Sequence, residues 1–132
     1  MHATATFELQ NTESEPLFDH LGGDVQFGRR RFDKVFQGGI EATSSVEMLS
    51  GGVAAGGAGY VAIEVITGTV DGRPGSFALL HIGTMDADGE PWAMWPIVPG
   101  SGMGELSGIT GNARISFADD GTHLFDLDYQ LV

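Results

Sequence analysis

A chain of 132 residues with 42% hydrophobic content is long enough for one core, and its net charge of −12 lacks the basic footprint that nucleic acid or an anionic membrane surface requires. With no cysteine, disulfides, thiolate catalysis and cysteine-ligated zinc are excluded. The first residues carry neither a basic start nor an apolar core, and no apolar run reaches membrane-spanning length, so the expectation is a single cytoplasmic, soluble domain over residues 1–132.

In chain order, Ala3, Ala5, Phe7 and Leu9 alternate with polar neighbours as a half-buried strand does. Asn11 to Gly23 is polar and interrupted by Pro16, which reads as a loop with one helical turn around Leu17 to Leu21. Gln26 to Phe36 alternates again, and Ile40 to Leu49 follows Gly38-Gly39. Arg29, Arg30 and Arg31 address both faces of a strand and read as a solvated segment with local ion pairs rather than an anion site. An anionic substrate would be repelled by the acidic surface unless these arginines receive it.

Gly51 to Gly59 reads as a flexible connection, and the β-branched run Tyr60 to Val70 as a strand. Asp71-Gly72 is a hairpin signal leading into Ser76 to Met85. A turn at Asp86 to Gly89 leads into Trp92 to Val98; Asn112 to Phe117 and His123 to Leu131 complete the set. About eight strands without intervening helices exclude parallel βαβ folds and point to a small antiparallel barrel, with a two-sheet sandwich as the alternative.

The hairpin at Asp71-Gly72 pairs even positions before the turn with odd positions after it. Ala62, Glu64, Ile66 and Gly68 therefore share a face with Phe77, Leu79, His81 and Gly83. A four-residue turn at Asp86 to Gly89 adds Trp92, Met94 and Pro96 to that face. Both faces are apolar; the Glu64 face is taken as the barrel interior and the other as packing against a helix, a loop or another subunit. Enclosed, a carboxylate beside an imidazole suits general acid–base work near neutral pH. The competing reading is a satisfied ion pair that fixes strand register.

Other candidates are weaker. Gly100 to Gly104 lacks a Lys-Ser/Thr ending and a following helix, so it reads as a tight loop rather than a phosphate cradle. His2, His20, His81 and His123 show no metal-ligand spacing, although pairing of first and last strands would approach His2 to His123. Asp86 to Gly89 and Asp119-Asp120-Gly121 are turns without the other ligands of a calcium loop.

The segments Gly75 to Thr84, Val98 to Gly108, Thr67 to Arg73 and Asp128 to Leu131 resemble a family of uncharacterised bacterial proteins classed beside allene oxide cyclase. The family loop usually reads Gly-Ser-Gly-Thr-Gly; Met103 here replaces the Thr and removes a hydroxyl. The resemblance implies an eight-stranded, commonly oligomeric barrel and says little about activity. It adds weight to His81 and Glu105, which lie in its motifs.

The leading expectation is a cofactor-free isomerase, cyclase or lyase transferring a proton on a small, largely apolar carbonyl compound. Glu64, His81 and Glu105 are the candidate catalytic residues, and Phe77, Trp92, Met94, Ser101 and Tyr129 the candidate substrate contacts, with Ser101 and Glu105 at the barrel mouth. No metal or cofactor is expected, and a homo-oligomer is. The alternatives are a binding barrel without chemistry and a structural oligomer in which Glu64 and His81 only bind subunits together.

Overall fold

The computed structural model describes residues 1–53 and 56–132. Its strands are β1 (His2–Leu17), β2 (Val25–Gly38), β3 (Ile40–Val53), β4 (Ala58–Val70), β5 (Arg73–Met85), β6 (Pro91–Met94), the two-residue β7 (Met103–Gly104), β8 (Ile109–Phe117) and β9 (His123–Leu131). All pair antiparallel in one sheet of order β6-β5-β4-β3-β2-β1-β9-β8, with β7 added to β5.

The segment after β6 closes the ring. Ala113 donates to Trp95 O (2.8 Å) and Ile97 to Gly111 O (2.9 Å), while Leu80 and Val98 bond across to the other side. The result is a nearly closed eight-stranded barrel in which pairing satisfies both edges. The alternation read from the sequence fills it: Ala3, Ala5, Phe7, Phe36, Phe77, Leu79, Phe125 and Leu127 are buried inside.

Two stretches differ from expectation. Asn11 to Pro16 is strand: Glu13, Ser14 and Glu15 pair with Arg31, Arg30 and Arg29 after a bulge at Asn11, whose φ is 54°. Both faces there meet water, so alternation is polar on polar and looks like a loop, while opposite charges facing across the ladder hold it extended. The helical turn is a 3-10 turn at Asp19–Leu21. Likewise, within Gly51 to Gly59, Gly51 pairs with Gly59 and Gly52 with Ala58, and a side chain at Gly51 would collide with the Phe27 ring. Ala54 and Ala55, within that expected connection, lie outside the described residues.

The Pro99–Gly108 loop folds under one end of the barrel. Its Met103 and Gly104 pair with Ser76 and Gly75, and Leu106, 1% exposed, seals that end. Among the described residues no helix is long and apolar enough to cross a membrane.

Candidate functional site

Four consecutive strands each send one buried polar side chain inward. Lys34 and Ser44 are direct cross-strand partners on β2 and β3; Glu64 on β4 and His81 on β5 sit diagonally one step away. Glu64 is the hub: its Oε1 accepts from Lys34 Nζ at 3.1 Å and lies 2.7 Å from His81 Nε2, while its Oε2 accepts from Ser44 Oγ. All four are buried, Glu64 completely. Lys34 Nζ also stands 4.4 Å from the Phe7 ring centroid, a cation–π contact that takes the place of water.

Burial alone would raise the Glu64 pKa, but the His81 hydrogen bond, the Lys34 charge and Ser44 outweigh it and hold the carboxyl below its usual value. For Lys34 burial prevails over the Glu64 attraction, and its pKa is lowered. Both Glu64 oxygens are thus engaged, as a buried carboxylate must be.

Next to this cluster Phe32, Val46 and Ala62 form a second, smaller buried group with Met48 packed against it. A cavity of about 930 Å³ opens at the end opposite the Pro99–Gly108 loop, walled by Met48, Tyr60, Trp95, Ile115 and Phe117 with Arg30 and Arg114 at its edge. Gly83 makes room for the Tyr60 ring, with which a side chain there would collide. Burial pushes the Tyr60 hydroxyl pKa up, with the nearby Trp95 N–H opposing. Trp95 Nε1 is itself buried and meets hydrogen-bond geometry with no acceptor among the described residues. On β5 the inward residue next below Gly83 is His81, whose side chain is 6% exposed.

The structure brings Glu64 and His81 together on the interior face, as the hairpin parity requires; the Asp71-Gly72 loop has two residues, with Val70 opposite Arg73. Several other expected site residues fall elsewhere. Asp86 Oδ1 accepts from the backbones of Asp88 and Glu90, so the turn has five residues and Met85 pairs with Pro91. That extra residue inverts the following strand. Met94 is outside, 45% exposed; Trp92, 52% exposed, reaches only the cavity rim; Trp95 and Ile97 face inward instead.

Ser101 and Glu105 are at the sealed end, not the mouth. Ser101 Oγ accepts from Ala78 N and donates to Val98 O, stapling the loop to β5, and Glu105 is solvent-exposed. Phe77 and Tyr129 are buried in the packed half, where Tyr129 donates to Asp71. β1 does pair with β9, but it is Phe7 that meets His123, while His2 lies 3.7 Å from Asp126. No group of three potential metal ligands occurs among the described residues.

The sequence singles out neither Lys34 nor Ser44, and Tyr60 and Trp95 read from it as core or interface rather than as lining of a site. A signal for Lys34 existed: it stands between Phe32 and Phe36 on the inward face. The outer face of β4 and β5 is apolar and open, with Val61, Ile63 and Val65 about half exposed.

Comparison with known proteins agrees with this architecture. Residues 3–129 match the family described as "Protein of unknown function (DUF3224)". A crystal structure of a DUF3224 protein of unknown function from Shewanella oneidensis MR-1 is 38% identical, covers 100% of this chain and 98% of its own, and superposes with a TM-score of 0.89. No curated protein matches the chain. The chain belongs to the DUF3224 family.

Proposed function

We propose that this DUF3224 protein binds a small, largely apolar molecule in the open half of its barrel. The observation that carries the reading is the cavity of about 930 Å³ walled by Met48, Tyr60, Trp95, Ile115 and Phe117. Ligand sites of this size are concave and mostly apolar with few polar groups, and eight-stranded barrels are wide enough for one small guest. Both of the chain's tryptophans stand at this end, Trp95 in the wall and Trp92 at the rim. Filling the cavity therefore changes intrinsic fluorescence, and native mass spectrometry of purified protein detects a retained guest. An empty protein whose fluorescence ignores a panel of apolar compounds overturns the reading.

Proton transfer in an isomerase, cyclase or lyase is the second reading, favoured by His81. It occupies the inward position next below the cavity wall and is hydrogen-bonded to a carboxylate that holds its ring in place. Glu64, sealed and saturated, supports His81 rather than reaching a substrate. On this reading His81→Asn abolishes turnover of a bound guest while leaving binding and secondary structure intact. Binding without any conversion in the wild type leaves the first reading standing alone.

A further inference from the structure

The six cations of this acidic chain are not distributed evenly in their partners. Arg29 faces Glu15 and Glu47, Arg31 faces Glu47, and Lys34 is buried against Glu64. Arg73, at the sealed end, donates to the Tyr129 hydroxyl at 3.4 Å. Arg30 and Arg114 have neither a carboxylate nor a side-chain hydrogen-bond acceptor among the described residues, and both line the open cavity. Arg30 is held over the Phe32 ring at 5.5 Å, a contact that fixes the side chain without neutralising it. Arg114 stands across the ladder from Asp126, which lies beside His2 instead.

The lining residues include no aspartate or glutamate, although the chain holds 18 acidic residues. The cavity edge is thus a positive site on a molecule of net charge −12. Long-range repulsion from the acidic surface is screened beyond about 8 Å at physiological salt, so an anion at the rim meets the two guanidiniums first. Guanidinium forks bind carboxylates through paired, charge-assisted hydrogen bonds. Trp95 Nε1, in the same lining, is a buried donor with no acceptor among the described residues.

We propose that the guest is an amphipathic monocarboxylate: an apolar body in the barrel, with its carboxylate gripped by Arg30 and Arg114. This rests on the cavity reading above and adds the ligand's charge to it. The arginine triplet then divides by face: Arg29 and Arg31 serve exterior ion pairs, while Arg30, on the inward register, serves the ligand.

The test is a matched pair of probes, 4-biphenylacetate and its neutral primary amide, titrated against the full-length protein by tryptophan fluorescence and calorimetry. The acid is expected to bind about tenfold or more tightly than the amide, in line with a charge-assisted contact. The double variant Arg30→Gln/Arg114→Gln, altered only at exposed positions, should bring the acid down to the amide's affinity while leaving the amide's unchanged. Added salt should weaken the acid alone. Equal affinities in the wild type, or a preference that survives in the double variant, overturn the carboxylate proposal while the cavity reading stands. If neither probe binds, both fall together.

Discussion

The two halves of the barrel interior are built by the same strands on the same alternation, yet one is packed and the other is hollow. In the packed half Phe36, Phe77, Leu79, Phe125 and Leu127 interlock, and Leu106 rises from the glycine-rich loop to close the base. In the hollow half Phe32, Val46 and Ala62 are buried next to the charged cluster, the lining beyond them includes Ser50 and Gly83, and among the described residues no apolar plug crosses the opening. Topology is therefore common to both ends, and side-chain volume together with one capping loop decides which end is core and which is container. The charged cluster lies between them, where the packed half supplies burial and the cavity lies one inward position away on β5.

The sharpest way to break this division is to remove its hub. Glu64→Ala leaves Lys34 buried without its counter-ion, and loss of one member of such a pair costs about 3–5 kcal/mol. Urea denaturation should register that loss, with Glu64→Gln less severe because a hydrogen-bond acceptor remains. A cost below about 1 kcal/mol, the range of an exposed ion pair, would mean that the cluster is not sealed.

The same group sets an acid limb. Because the folded-state pKa of Glu64 lies below its ordinary 4.5, the unfolded chain binds the proton more readily. The carboxylate's stabilising contribution is complete above 4.5 and is lost as pH falls below it towards the lower folded value. Glu64→Gln should flatten that part of the stability profile; an unchanged acid limb would assign it to other carboxylates. Lys34, whose folded pKa is also lowered, works in the same direction at the alkaline end: its burial penalty eases as pH rises through the folded value towards 10.5.

Truncating one large side chain in each half compares them directly. Leu106→Ala removes the plug of the packed end and should cost about 2–5 kcal/mol, as buried leucines do. Met48→Ala enlarges a space already open to solvent and should cost about 1 kcal/mol or less. Equal costs in the two denaturation curves would remove the distinction between core and container.

Most of the barrel was legible because its strands alternate, and the Asp71-Gly72 hairpin carried that alternation into a three-dimensional statement that placed Glu64 beside His81. What failed was counting through a turn whose length is set by a side chain. Asp86 caps its own loop, adds one residue and sends Trp92 and Met94 out while bringing Trp95 in. A one-residue slip reverses every subsequent side chain. The partners Lys34 and Ser44 come from strands joined to Glu64 only by long-range register, which no local pattern contains. Gly100 to Gly104 reads as a tight loop from its glycines alone, but the end of the barrel it closes depends on pairing with β5.

The smallest expected change in stability tests the container most directly. Gly83→Ala places a methyl group against the Tyr60 ring, a collision with a side chain that has open cavity beside it. The ring can swing towards that space, so unfolding should shift by no more than about 1 kcal/mol. The displaced ring then occupies volume a guest would use and disturbs the surroundings of Trp95. Tryptophan emission should move, and affinity for an apolar guest should fall severalfold while Leu106→Ala, at the far end, leaves it unchanged. Should Gly83→Ala destabilise the protein as much as Leu106→Ala does, the Tyr60 ring is packed rather than poised, and the open half is a core that happens to reach the surface.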